Sequence, residues 1–358
     1  MEYPKTMRAL VAYGKNDYRY EENYPVPECG DDDMLIHVDG CGICASDVKC
    51  LHGAESYWGN GTTPGWAQPP FIPGHEFLGH VVYVGKNVTG FQVGDRVTPE
   101  QIVPCNECRF CRKGQYWMCQ PHQMFGYFTE FCGGMAEYVR LPMKRARVHK
   151  VPEDMDIKKA LLIEPFACAK HCVDRAQIGS EDIVVISGAG PLGLGMTTYA
   201  RGRNPAKLIV MDLKEERLAI ARNFGADEVW NPAKEDVIAK IMDMTEGYGC
   251  DIYIEATGAP PSVRQGMSMI RKLGRFVEFS VFGAETSLDW SIIGDKKELD
   301  VLGAHISPYC YPYTIAHMYD GSIRTEGVVT SLYDLKDWEE AYDKASGKYG
   351  DLKVAFVF

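Results

Sequence analysis

DIVVISGAGPLGLGM, residues 182–196, passes from an apolar, β-branched run through Gly188, Gly190 and Gly193 into a helix-like segment opened by Pro191 and Leu192. This G-x-G-x-x-G spacing has a mechanism when it lies between a strand and a helix. The first glycine makes the tight turn, the second lets a pyrophosphate approach the main chain, and the helix N-terminus offers unpaired N–H groups to it. Three glycines could also serve a turn and nothing more. What separates the two readings is order: a second strand, LIVMD, follows and ends in Asp212, nineteen residues past Gly193. A carboxylate there accepts hydrogen bonds from ribose hydroxyls and repels a 2′-phosphate, which favours NAD. Lys214 and Arg217 follow it. A cation at that place accommodates a 2′-phosphate, so NADP stays open.

Outward from this stretch, DEVW (227–230), DIYIEA (251–256) and RFVEF (275–279) are compact apolar strands, several of them separated by helical-period segments such as LKEERLAIARNFG (213–225). That alternation predicts a doubly wound α/β domain, a parallel sheet with helices on both faces, over residues 156–297. Residues 1–155 read differently. MRALVAY, MLIHVDG, LGHVVYVG and GDRVTPEQ are short β-like runs broken by Gly, Pro and Asp, the pattern of an irregular strand-rich domain. Residues 298–358 are mixed again and are expected to return to the first domain. A chain of 358 residues exceeds what one core usually organises, in keeping with two domains.

With 46% hydrophobic and 24% charged residues the sequence is that of a folded globular protein. A formal net charge of −11 repels phosphate backbones and anionic headgroups, which argues against nucleic acid and membrane surfaces as partners. Neither an export-type leader nor an apolar stretch of membrane-spanning length is legible, so a cytoplasmic location is expected. Thirteen cysteines in a reducing compartment point to metal binding.

The array CNECRFCRKGQYWMC sets Cys105, Cys108, Cys111 and Cys119 at C-x2-C-x2-C-x7-C. Four thiolates converging on one point form a closed tetrahedral shell suited to a structural Zn²⁺; an iron–sulfur cluster or free thiols are the alternatives. Cys44 in GCGICASD, His75 and Glu76 in PFIPGHE, and Glu164 in LLIEPF are further candidates. Taken singly, each has an ordinary reading as a buried small thiol, a satisfied core histidine or a solvated carboxylate.

Together the motifs resemble the zinc-dependent medium-chain alcohol and polyol dehydrogenases, in particular the sorbitol and xylitol branch and its erythritol/threitol-type members. GCGICASD, GHEFLGHVVYVG, GDRV, the four-cysteine array, GGMAEYV, EPFACAKH, GAGPLG and EATG occur in that family's order and span nearly the whole chain. The resemblance implies a GroES-like catalytic domain beside a Rossmann NAD domain, two zinc ions per chain, and a homo-oligomer, dimer or tetramer. It further implies a catalytic zinc held by Cys44, His75 and a carboxylate, with Glu76 the direct ligand and Glu164 a ligand or bound through water. Asp47 orients His75, and Ser46 receives the proton of the substrate hydroxyl. The implied reaction transfers hydride between a secondary alcohol of a short-chain polyol and NAD, giving a ketose, or its reverse.

Two features depart from the family pattern. The segment AESYWGNGTTPGWAQPP, residues 54–70, is longer than the usual spacing and carries Tyr57, Trp58 and Trp66; it is read as a pocket wall, with a surface excursion as the alternative. Lys49 stands where related enzymes often place a relay histidine, leaving Lys49 and His52 as alternative proton routes. The competing readings are an NADP-dependent carbonyl reductase without catalytic metal and a non-catalytic dinucleotide-binding relative.

Overall fold

The computed structural model describes residues 3–358 and divides the chain into two compact units. Of these, residues 3–164, 311–320 and 325–358 form one unit, and residues 165–310 and 321–324 form the other.

In the first unit, strands β1 (Thr6–Gly14) and β2 (Asp17–Pro25) make an antiparallel pair. A seven-stranded sheet follows from β3 (Asp33–Gly42), β4 (Glu76–Val84), β5 (Arg96–Pro99), β6 (Tyr138–Pro142) and β7 (Val148–Lys150). The end of the chain contributes its last two strands, Val329–Tyr333 and Lys353–Val357. Strand β3 is its centre: Met34, Leu35, Ile36 and Val38 are fully buried, and it pairs with β4, β6 and Lys353–Val357. Gly79 on β4 lies so close to the carbonyl of His37 that a Cβ would overlap it. The sheet therefore packs tightest where β3 and β4 run together.

The second unit is a six-stranded, all-parallel sheet. Its strands are β8 (Ile183–Ser187), β9 (Lys207–Met211), β10 (Glu228–Trp230), β11 (Cys250–Glu255), β12 (Ile270–Glu278) and β13 (Asp300–Gly303). The order β10-β9-β8-β11-β12-β13 is the doubly wound Rossmann arrangement, reversing between β8 and β11. β8, β9 and β11 are buried on both faces, which explains their near-continuous apolar runs. Trp230, Tyr253, Phe276 and Ile241 fill one side of this core.

The unit boundaries correct the division read from sequence rhythm, 155/156 and 297/298, to 164/165 and 310/311. Residues 298–310 belong with the second unit because Asp300–Gly303 is hydrogen-bonded along β12 as the sixth parallel strand, although its side chains are largely exposed. Exposure is why its sequence does not read as apolar.

At the C-terminal ends of β11 and β12, Glu255 and Glu278 pair in register. Glu278 Oε1 is buried without a hydrogen-bond partner. Burial pushes the Glu278 carboxyl up to about 7, and the neighbouring Glu255 charge adds to the rise. The folded protein thus holds a proton that the unfolded chain releases near the ordinary carboxylate pKa, so this group makes stability fall as pH rises through that interval to about 7. Glu278→Gln is expected to melt higher than the parent at pH 8 and to match it at pH 5, in the cofactor-free protein. An equal difference at both pH values refutes this account.

Candidate metal centre and cofactor site

Strand register assembles the first cluster. Gly42, the last residue of β3, pairs with Glu76, the first of β4, and with Ala355 of the last strand. Cys44, His75, Glu76 and Lys353 therefore arrive at one end of the sheet from distant parts of the chain. Cys44 precedes the helix Ala45–Leu51, and Asp47 in its first turn accepts the Cys44 backbone N–H at 2.9 Å. The ligand atoms of Cys44, His75 and Glu76 all lie within 4.8 Å of one another.

A divalent cation fits these residues on grounds of charge. Cys44, Asp47, Glu76 and Glu164 bring a thiol and three carboxylates together, the acids 0–6% exposed, and the cation paired with them is Lys353, 4% exposed. Uncompensated buried charge is costly. Asp47 Oδ1 is buried without a hydrogen-bond partner, 3.7 Å from His75 Nδ1. Burial raises the Asp47 carboxyl, opposed by His75. Burial acts against a charge on His75, but Asp47 and Cys44 outweigh it and hold the imidazole at about 10. Glu164, whose charge acts on His75 and Lys353, accepts a short hydrogen bond from Gln101 Nε2.

The second cluster is the lobe around the helix Arg109–Arg112. Cys105, Cys108, Cys111 and Cys119 bring four sulfurs within 4.8 Å of one another. Backbone N–H groups of Cys105, Glu107, Cys108 and Gln120 donate to three of these sulfurs at 3.2–3.5 Å. Such donors favour thiolate, and the backbone N–H groups of Cys111 and Gln120 bring Cys108 down to about 6. Cys105, Cys108, Cys111 and Cys119 are free of disulfides, as is Cys44.

In the second unit, Gly188 follows β8 with φ +109°, and a Cβ on Gly193 would overlap the Gly188 carbonyl oxygen. Both positions thus require glycine. Gly190 caps the helix Pro191–Gly202, Pro191 takes its first turn, and Leu192 follows. The space over Gly190 is open, with Arg217 Nη1 4.0 Å from where a Cβ would stand. Asp212, just past β9, accepts the N–H groups of Ala189 at 2.8 Å and Lys214 at 2.9 Å. Arg217 Nη1 is 3.9 Å from Asp212, and Arg217 Nε is buried without a hydrogen-bond partner. The glycine turn, the open approach and the waiting guanidinium fit a dinucleotide phosphate.

Residues 30–153 match the alcohol dehydrogenase GroES-like domain, and residues 191–319 match the zinc-binding dehydrogenase domain. An erythritol/L-threitol dehydrogenase of Mycolicibacterium smegmatis is 45% identical, covering 99% of both chains. The chain belongs to the zinc-dependent alcohol and polyol dehydrogenase family. Among solved structures, a zinc-binding dehydrogenase of Sinorhizobium meliloti 1021 bound to NADP superposes with a TM-score of 0.88 at 28% identity, covering 99% of this chain and all of the other. An alcohol dehydrogenase of Escherichia coli CFT073 complexed with NADH gives 0.86 at 25% identity and the same coverage. This dehydrogenase is therefore an oxidoreductase with a GroES-like and a Rossmann domain, of the zinc-binding dehydrogenase type. Among the described residues no helix is long and apolar enough to cross a membrane.

Other residues of the dehydrogenase's first unit meet around the metal cluster without any motif announcing them. Ser46 and Lys49 share a face of the helix Ala45–Leu51, while His52 is its exposed C-cap. Tyr127 donates to Ser46 Oγ at 3.0 Å. Lys353 pairs with Glu76 and donates to the carbonyl of Ile43 at 3.1 Å. Burial works against the Lys353 charge, yet Glu76 and Cys44 hold its pKa above the ordinary lysine value. A Cβ on Gly42 would overlap Glu76, so the absence of a side chain there leaves room for the pair. Sequence reasoning missed Tyr127, Gln101 and Lys353. For Lys353 a signal existed: a lone lysine at the head of the apolar strand KVAFV. The 54–70 segment divides its residues, turning Tyr57, Trp58 and Trp66 inward while residues 60–65 stay exposed.

Proposed function

We propose that this dehydrogenase oxidises a secondary alcohol of a short-chain polyol, a tetritol such as erythritol or threitol or a longer homologue, to a ketose with NAD, and runs the reverse. The observation that carries the reading is the convergence of Cys44, His75 and Glu76 beneath a surplus of buried negative charge. Full-length likeness to a relative named for erythritol and L-threitol supports the substrate class.

In this reading each chain binds two zinc ions. Cys105, Cys108, Cys111 and Cys119 hold one in a closed structural shell. Cys44, His75 and Glu76 hold the other, with Glu164, oriented by Gln101, behind them. When bound, this second zinc supplies the Lewis acidity that eases deprotonation of a substrate hydroxyl, and the nicotinamide supplies a hydride acceptor. The chain's own groups do the rest. Asp47 fixes the orientation of His75. Ser46 Oγ takes the proton of the reacting hydroxyl as it gives up its own, and Lys49, one turn on, and His52 line the alternative routes toward solvent. Gly188, Gly190, Pro191, Leu192 and Gly193 bind the pyrophosphate, Asp212 binds the ribose hydroxyls, and Arg217 neutralises the phosphates. The enzyme is read as a cytoplasmic homo-oligomer, a dimer or tetramer; a chain of thirteen cysteines that uses them for metal binding fits a reducing compartment.

Initial rates over three- to six-carbon polyols with NAD⁺ and NADP⁺ test this, in the parent and in Asp212→Ala. The parent is expected to prefer NAD⁺, and the variant to narrow that preference by roughly tenfold, the effect of removing one like-charge repulsion. A parent that prefers NADP⁺ overturns the role of Asp212; the absence of turnover with every polyol overturns the substrate class.

A further inference from the structure

Ser46 has a partner that neither the motifs nor the metal cluster calls for. Tyr127 is 2% exposed, and its O–H donates to Ser46 Oγ at 3.0 Å. The same phenol oxygen lies 3.4 Å from His75 Nδ1. A buried hydroxyl costs free energy unless it is hydrogen-bonded. If this position served packing alone, phenylalanine would suffice, as at the adjacent Phe128.

The ring is held from several sides. Tyr57 stacks on it at 5.5 Å and 18° between planes, Trp66 lies at 4.9 Å, and the His75 ring at 5.7 Å and 29°. Tyr57 and Trp66 come from the long 54–70 segment, which is fastened to Tyr127 through the main chain. Gln68 N–H donates to the Tyr127 carbonyl at 2.9 Å, and Ala67 N–H donates to that of Tyr57 at 2.9 Å. Trp66 Nε1–H donates to the His122 carbonyl at 3.1 Å. The inward half of the inserted segment is thus a clamp on one tyrosine.

A serine hydroxyl carries one hydrogen and two lone pairs on a freely turning C–O bond. The Tyr127 hydrogen occupies one lone pair, so of the three positions around Oγ one is taken. The other lone pair and the serine's own hydrogen are confined to the two positions that remain, one to receive a proton and one to pass a proton on. We propose that Tyr127, clamped by Tyr57 and Trp66, is a positioning residue that aims the Ser46 hydroxyl at the reacting hydroxyl of the substrate. This rests on the role given to Ser46 above; Tyr127 itself acts only through Ser46.

A double-substitution cycle on the zinc-loaded enzyme tests it, with Tyr127→Phe, Ser46→Ala and the pair, followed by kcat, KM and thermal melting. Phenylalanine keeps the ring and its stacks, so only the donor is lost. Tyr127→Phe is expected to lower kcat roughly tenfold, the effect of one well-placed hydrogen bond. KM for the polyol, NAD affinity and zinc content should stay within about twofold of the parent. In the Ser46→Ala background the same change is expected to cost nothing more, and the two melting-temperature losses should be less than additive. An equal kcat loss in both backgrounds, no kcat loss beside Ser46, or strictly additive melting losses each overturn the positioning role. Parental kcat in Ser46→Ala alone overturns instead the assignment of Ser46, a distinguishable failure.

Discussion

Cys44→Ala is expected to stop turnover while leaving the nucleotide site intact. The substitution removes one of three converging ligand atoms, and the two that remain, on His75 and Glu76, cannot complete a tetrahedral zinc shell with an open position. Lewis acidity is worth several kcal/mol to the reaction, so the rate should fall by at least about 10³-fold. Gly188, Gly190, Gly193 and Asp212 belong to the other unit, so NAD binding, read by nucleotide fluorescence, should be unchanged. Metal analysis should drop from two zinc ions per chain to one, the remaining ion belonging to the four-cysteine lobe. A variant that retains parental kcat with one zinc per chain shows that the cluster at Cys44 is not the reactive centre.

Lys353→Met is expected to be the most destabilising single change near the site. Methionine is of similar volume and flexibility, so packing is largely conserved and the charge is what disappears. Glu76 would be left 3% exposed with Asp47 and Glu164 close by and its own cation gone. Removing one partner of a buried pair typically costs about 3–5 kcal/mol, because the other charge stays behind. Thermal melting of the metal-free variant should show this deficit. Reloading with zinc should shrink it, since the ion gives Glu76 a new counter-charge, and Glu76→Gln in the same chain should recover much of the loss. A metal-free Lys353→Met protein that melts with the parent would falsify the view that Lys353 stabilises the empty ligand cluster.

The two kinds of residue in this site differ in how they could be found. Candidate ligands that recur close together in sequence, such as Cys105, Cys108, Cys111 and Cys119, converge because short loops have few ways to fold. The Gly188–Gly193 turn is equally local, since the strand before it and the helix after it fix its geometry. Residue chemistry and spacing at such positions pointed directly to the Rossmann domain and the sulfur-rich lobe, whereas Cys44, His75 and Glu76 became candidate ligands only through the family resemblance carried by the order of the motifs. Tyr127, Gln101 and Lys353 have no local pattern of that kind. Lys353 reaches Glu76 only because the last strand pairs with β3, whose end pairs with the start of β4. Tyr127 reaches Ser46 across eighty-one positions of chain, and Gln101 reaches Glu164 across sixty-three.

The domain boundaries follow the same division. The apolar strands β8, β9 and β11 announce themselves because both of their faces are buried, whereas the exposed edge strand Asp300–Gly303 does not, and only its hydrogen bonds to β12 assign it to the parallel sheet. Sequence by itself determined what the chain is built from: a dinucleotide-type α/β unit, a strand-rich unit, a sulfur-rich lobe and a set of candidate metal ligands. Tertiary structure alone decided that a lysine closes the charge on that set and that a clamped tyrosine meets its serine, because strand register and long-range packing, unlike residue type, leave no trace in neighbouring positions.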